Sequence, residues 1–263
     1  MALPPPRKRF GQHFLHDDTV IQQLLIAIAP RPGQHLVEIG PGHGVLTRPL
    51  LQAVGELDAV ELDRDLVAEL HTTLADSGLR LHAADALAFD FAALRTDERP
   101  LRIIGNLPYN ISTPLLFHLL TQADVIADMH LMLQKEVVQR MAAAPGGGDY
   151  GRLSVMVQTV CRVDYLFGVG ADAFQPRPKV NSAVVRLLPY AQPPIVLHDP
   201  VQFAHLVAQA FSQRRKTLRN SLRGYVDESA LSALGIDPSA RAETLSPQDF
   251  ATLSNYVANR QGD

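Results

Sequence analysis

Leu36-Val37-Glu38-Ile39 is a short apolar run that stops at three closely spaced glycines, Gly40, Gly42 and Gly44. Beyond them, Val45-Leu46-Thr47-Arg48-Pro49-Leu50-Leu51 resumes with apolar spacing that suits a helix. This pattern predicts strand, tight turn and helix in succession. Glycine is needed in such a turn where the backbone takes positive φ or a ligand approaches the main chain closely. The start of the following helix favours a negative group, such as an amino-acid carboxylate. The spacing is G-x-G-x-G rather than the G-x-G-x-x-G of dinucleotide enzymes, which argues against a pyrophosphate ligand. A backbone cradle for a different nucleotide-like cofactor is the better fit.

Two further strand candidates each end in an acid. Leu57-Asp-Ala-Val-Glu61 places Glu61 roughly 20 residues after the glycines, where an open α/β sheet sets a carboxylate on ribose hydroxyls. Neighbouring Asp63 and Asp65 read as solvated acids. Leu79-Arg-Leu-His-Ala-Ala-Asp85 ends in Asp85, which would meet the amino group of a cofactor adenine or else serve as a helix N-cap.

A fourth strand candidate, Leu101-Arg-Ile-Ile-Gly105, runs into Asn106-Leu107-Pro108-Tyr109. The exocyclic amine of adenine is a poor nucleophile because its lone pair is delocalised into the ring. An enzyme that alkylates it must hold the nitrogen so that the lone pair points at the donor. The side-chain oxygen of Asn106 and the main-chain carbonyl of Leu107 can accept its two N–H bonds, while Pro108 restricts the local backbone. Tyr109 offers a face for stacking, worth roughly 1–3 kcal/mol per base against the cost of extruding it. Cradle and clamp together point to methyl transfer onto a base.

The chain resembles the ribosomal RNA adenine dimethyltransferase family, and most closely its bacterial small-subunit branch. The resemblance covers nearly the whole sequence. It is carried by Gly11-Gln-His13-Phe-Leu15, the glycine loop, Glu61, Asp85, Ile104-Gly-Asn106-Leu-Pro-Tyr109-Asn-Ile-Ser-Thr113, Tyr150-Gly-Arg-Leu-Ser154, Phe174-Gln-Pro-Arg-Pro-Lys-Val180 and Phe211-Ser-Gln-Arg-Arg-Lys-Thr-Leu-Arg-Asn220. It implies S-adenosylmethionine as cofactor, S-adenosylhomocysteine as product and no metal. Cofactor contacts carry over to His13, Leu15, Gly40, Gly42, Glu61, Asp85 and Asn106, with His13 standing where many relatives have Asn. The implied activity is dimethylation of two adjacent adenosines near the 3′ end of small-subunit RNA, with a role in subunit assembly. Two alternatives are the related methyltransferases of the large subunit and a noncatalytic RNA-binding assembly factor.

A net charge of −3 at first argues against an RNA substrate. Its distribution matters more. Acids concentrate between Glu38 and Glu98, whereas Arg7, Lys8, Arg9, Arg177, Lys179, Arg214, Arg215, Lys216, Arg219 and Arg223 form runs almost free of them. These are the expected RNA-binding residues, with solvated helix faces as the alternative. The single cysteine, Cys161, excludes a disulfide framework and suits a reducing cytosol, with core packing as its expected role. No secretory h-region and no uncharged run of transmembrane length stand out, so a cytoplasmic protein without membrane contact is expected; a monomer is the expected oligomeric state.

Alternation of strand and helix from about residue 35 to 188 predicts a doubly wound sheet. Met129–Leu133, Tyr165–Val169 and Ser182–Leu188 complete the strands. The family resemblance makes this an α/β, Rossmann-like methyltransferase sheet of seven strands, mostly parallel with the last antiparallel. The proline-spaced segment from Phe174 to Lys179 is expected to be extended, with Phe174 either facing Tyr109 across the target adenine or packing in the core. Ala142–Asp149 is a glycine-rich loop that could be a lid or a spacer. Two domains are expected: residues 1–190 for cofactor and catalysis, and a small helical RNA-recognition domain over 195–263. In the latter, Ser246-Pro247 makes a helix start.

Overall fold

The computed structural model describes residues 11–213 and 215–261, so Arg7, Lys8, Arg9 and Arg214 of the basic runs lie outside the described residues. The strands are β1 (Phe14–Leu15), β2 (His35–Ile39), β3 (Leu57–Glu61), β4 (Leu79–Ala83), β5 (Leu101–Asn106), β6 (Ile126–Gln134), β7 (Cys161–Val169), β8 (Phe174–Gln175) and β9 (Ser182–Pro189). The helices are α1 (Asp18–Ile28), α2 (Thr47–Val54), α3 (Arg64–Thr73), α4 (Ser112–Leu120), α5 (Lys135–Ala142), α6 (Arg152–Val160), α7 (Pro200–Phe211), α8 (Leu218–Ser221), α9 (Glu228–Ala233) and α10 (Pro247–Gln261).

Seven strands form one sheet in the order β4-β3-β2-β5-β6-β9-β7, while β1 and β8 form a separate antiparallel pair. From β4 to β6 the strands are parallel, and β9 runs antiparallel to β6. This is the expected methyltransferase sheet. All five residues of β2 and of β3 are buried, as befits parallel strands covered on both faces. The chain moves from β2 outward through β3 and β4, then crosses back to place β5 on the other side of β2. That reversal opens a crevice at the carboxyl ends of β2 and β5, the usual ligand position in such sheets.

The chain divides into two compact units. One holds residues 1–138 and 164–189, and the other holds 139–163 and 190–263. The boundary expected near 190–195 is therefore one of several crossings, because residues 139–163 group with the C-terminal helices. Packing explains this: Tyr150 and Val155 share a core with Phe203 and Leu206 of α7 and Phe250 and Leu253 of α10. The Tyr150 hydroxyl also donates to the Leu245 carbonyl at 2.8 Å. Within the same unit, the glycine-rich loop is tied down by the Gly146 amide, which donates to the Glu243 carbonyl at 2.7 Å. The start of α10 is a reciprocal cap. Ser246 Oγ accepts from the Asp249 amide (3.2 Å), and the Asp249 carboxylate accepts from the Ser246 amide (2.8 Å). Cys161 is buried, and that burial pushes its thiol up to about 12, consistent with a packing residue.

One polar cluster, centred on the buried Asp58, stitches β2, β3 and β4 together. The Asp58 carboxylate receives His35 Nε2 (2.8 Å), His82 Nε2 (2.8 Å) and Arg80 Nη2 (2.7 Å). Burial pushes the Asp58 pKa up, but the bonds from His35, Arg80 and His82 overcome it and hold the carboxyl well below the usual range. A depressed folded-state pKa contributes stability above the unfolded value, about 3.9, and loses it as pH falls below that value. Asp58→Ala should therefore lower unfolding free energy by about 1.5–3 kcal/mol at neutral pH. In urea unfolding the gap between variant and wild type should narrow below about pH 4.

Candidate active site

The turn after β2 is a backbone cradle. Gly40 and Gly42 have φ of 69° and 57°, which only glycine adopts freely. A Cβ on Gly42 would also come within 3.1 Å of the Phe14 ring. The Gly40 amide donates to the Val60 carbonyl at 2.9 Å, tying the turn to β3. Helix α2 begins only at Thr47, so the loop itself faces the crevice rather than the first helical turn.

Glu61, the last residue of β3, is buried and lies under this loop. Its Oε1 accepts from the Asp63 amide (2.8 Å) and its Oε2 from the Gly42 amide (3.4 Å). Burial raises its pKa, and these backbone donors pull against that rise. Asp63 departs from the solvated-acid expectation. It is 3% exposed, accepts from the Asp65 amide at the start of α3 (3.1 Å) and accepts from Gln12 Nε2 (3.1 Å). Asp85 is exposed, and its Oδ1 accepts from the Leu87 amide at 2.9 Å. It has a cap-like bond and a place on the cavity wall at once.

At the end of β5, Asn106 Nδ2 donates to the main-chain carbonyl of His13 at 3.0 Å. A carbonyl can only accept, so the amide orientation is determined, and Oδ1 is the atom offered to an incoming N–H. The His13 ring stacks on Tyr109, with centroids 5.6 Å apart and planes 29° from parallel. Its Nδ1 lies 2.6 Å from the Pro176 carbonyl and must carry the proton it donates there. The Tyr109 hydroxyl bonds Ser182 Oγ at 2.7 Å. Asn106 and Tyr109 are thus held on one frame, and His13 is part of that frame.

A single cavity gathers His13, Gly40, Gly42, Glu61, Asp85, Asn106, Leu107, Pro108 and Tyr109. Leu15 lines a second cavity that shares Phe14, Gly40, Gly42 and Asn106 with the first. Phe174 is on neither wall. At 2% exposure it packs among Leu15, Val20, Leu24 and Ile104, opposite Leu15 in the β1–β8 pair. The expectation that it faces Tyr109 is corrected to core packing, because pairing with β1 turns it inward. Arg177, Lys179, Arg215, Lys216, Arg219 and Arg223 are all exposed.

Three residues of this region carried no role in the sequence reasoning: Glu38, His130 and Ser182. Glu38, Ile104 and His130 stand in one row across β2, β5 and β6, and both polar members line the second cavity. Burial, with the Glu61 charge behind it, pushes the Glu38 carboxyl up to about 7. Its Oε2 has no hydrogen-bond partner among the described residues. A charged residue midway along an otherwise apolar strand was the available signal. Nothing in the sequence marked Ser182, whose contact with Tyr109 spans 73 positions.

The family model for ribosomal RNA adenine dimethylase matches residues 5–259. The chain belongs to the ribosomal RNA adenine dimethylase family. It is 57% identical over 267 residues to ribosomal RNA small subunit methyltransferase A of Chromohalobacter salexigens, covering 98% of this chain and 95% of the relative. With the protein of the same description from Pseudomonas aeruginosa it shares 54% over 258 residues, covering 98% and 96%. Its fold matches a dimethyladenosine transferase from Plasmodium falciparum at a TM-score of 0.80 and 24% identity, covering 95% and 98% of the two chains. It matches the 23S rRNA methyltransferase ErmE at 0.71 and 26% identity, covering 93% and 99%. Among the described residues no group of three or more His, Cys, Asp or Glu is placed to hold a metal ion, and no helix is long and apolar enough to cross a membrane.

The cradle fits the cofactor that the family resemblance implies: open glycine backbone, a buried carboxylate beneath it and an acid on the far wall. Glu61→Ala should weaken S-adenosylmethionine binding by about 1.5–3 kcal/mol, the range for a hydrogen bond to a charged group. Isothermal calorimetry reads this directly, and unchanged affinity would remove Glu61 from the site.

Proposed function

We propose that this protein dimethylates N6 of two adjacent adenosines in the 3′-terminal hairpin loop of small-subunit (16S) ribosomal RNA, with S-adenosylmethionine as donor. The observation that carries this reading is the orientation of Asn106, whose amide nitrogen is held by His13 so that Oδ1 is presented beside the glycine cradle. Identity of 53–58% to proteins described as small subunit methyltransferases, against 26% to ErmE, supports the small-subunit substrate over the large-subunit alternative. An intact cradle and clamp weigh against a noncatalytic assembly factor, while a role in subunit biogenesis is compatible with the enzyme.

S-adenosylmethionine, when bound, supplies an electrophilic methyl group on a sulfonium. Gly40, Gly42, Glu61, Asp85, His13 and Leu15 are the residues proposed to hold it, with Glu38 added from the structure. Asn106 Oδ1 and the Leu107 carbonyl accept the two N–H bonds of the adenine amine and direct its lone pair. Pro108 stiffens the clamp, and Tyr109 stacks on the base. Both clamp groups are neutral acceptors, so their contribution is positioning and exclusion of water rather than proton removal. Phe174 has no place in this arrangement. Arg177, Lys179, Arg215, Lys216, Arg219 and Arg223 would contact RNA phosphates. The protein is proposed to act as a cytoplasmic monomer.

Unmethylated small subunits incubated with the protein and cofactor should yield N6,N6-dimethyladenosine by nucleoside mass spectrometry. Methylation of isolated large subunits instead would overturn the substrate assignment. Asn106→Ala should leave subunit binding nearly unchanged and slow single-turnover methylation by about 10²-fold, the cost of a misplaced reacting atom. Wild-type turnover in that variant would remove the clamp.

A further inference from the structure

The second unit carries a groove that the proposed chemistry does not use. It is lined by Arg219, Asn220, Arg223, Tyr225 and Arg260, and by the acids Asp227 and Glu228. Arg219 and Arg223 lie four residues apart on the helical turns that begin at α8, and Arg260 enters from α10. Gly224 takes a φ of 91° and so turns the chain sharply just before Tyr225, which is 39% exposed. An aromatic ring left at the surface among guanidinium groups is a composition that suits an unpaired nucleotide, since the ring stacks on any base and the cations take phosphate.

The two acids in the lining do not cancel this. Asp227 Oδ1 is taken up by the Ser229 hydroxyl (2.7 Å) and the Ala230 amide (2.8 Å), as the N-cap of α9. Glu228 reaches Arg219 only at 3.9 Å, and both side chains are about half exposed or more, so that pair yields readily to a phosphate. Arg223 has no ion-pair or hydrogen-bond partner among the described residues. Arg260 lies over the Tyr256 ring at 5.6 Å and donates to its hydroxyl at 2.9 Å, which holds its guanidinium in place.

We infer that this groove holds one unpaired nucleotide of the RNA substrate, its base stacked on Tyr225, its phosphates on Arg219 and Arg223, and Arg260 closing the far side. The inference rests on the RNA-methyltransferase reading above. It adds a nucleotide contact outside the cofactor cavity, on residues for which only Arg219 and Arg223 had any expected role.

The test titrates the full-length protein against unmethylated small subunits at several salt concentrations. Tyr225→Ala should weaken binding by about 5- to 150-fold, the loss of one stacked base, whereas Tyr225→Phe should retain near wild-type affinity. Arg223→Gln should lower the salt slope by about one unit. Calorimetric affinity for S-adenosylmethionine and thermal stability should match wild type in all three variants. Wild-type binding by Tyr225→Ala with an unchanged salt slope in Arg223→Gln would overturn the groove while leaving the enzyme assignment intact. Weakened binding by Tyr225→Ala with an unchanged salt slope in Arg223→Gln would assign the groove to a ribosomal protein, and would also overturn it. Absence of wild-type binding to subunits would instead overturn the RNA reading itself.

Discussion

The reversal of strand order between β2 and β5 is the constraint on which this site depends. Residues Ile39 and Gly105 are register partners at the ends of these two parallel strands. The chain therefore leaves both strands side by side, with Gly40 on one and Asn106 on the other. Their closeness is measurable: a Cβ on Gly40 would stand 3.9 Å from the Asn106 carbonyl oxygen. It also depends on Gly105, where a Cβ would come within 2.9 Å of the Ile39 carbonyl and 2.8 Å of the Leu107 side chain. A larger residue there would push apart the two loops that line one cavity.

A second layer of order comes from outside the sheet. The segment before α1 pairs as β1 with β8, which brings His13 against the clamp and against Pro176. His13 then bonds Asn106 through its backbone, Tyr109 through its ring face and Pro176 through Nδ1. Ser182, the first residue of β9, holds the other end of Tyr109. Preorganisation of this kind is what allows neutral groups to contribute to rate, because they need not reorganise as the reaction proceeds.

What was legible in the sequence follows from how local each signal is. The sheet strands announced themselves through apolar runs ended by glycine, acid or the Asn-Leu-Pro-Tyr segment, and the capping of α10 was written in Ser246, Pro247 and Asp249. Two-residue strands such as β1 and β8 carry no periodicity, so their pairing was invisible, and with it the observation that decides between the two positions expected for Phe174. Asp63 looked like one acid in a solvated cluster because its side-chain partner, Gln12, lies 51 residues away. Likewise, residues 139–163 read as part of the catalytic alternation by composition, although Tyr150 buries its ring against the C-terminal helices. The clamp was proposed from residue types alone, but the orientation of the Asn106 amide could not be read there, since it is set by a carbonyl 93 positions earlier.

On the proposed function, the Asn106–Tyr109 clamp also bears on how one site would act twice on the same nitrogen. Asn106 Oδ1 and the Leu107 carbonyl match an unsubstituted amine, which has two N–H bonds to give. After one methyl group is added, the amine retains a single N–H, and one acceptor loses its partner. In this proposal the hold on the base would then shift from the acceptors to the stacking face. Tyr109 is the residue equipped for that load, because its ring is backed by His13 and its hydroxyl is anchored to a serine with no solvent exposure. An acceptor pair alone would favour release after the first transfer. A pair supported by a rigid aromatic platform can keep the monomethylated base in place for the second.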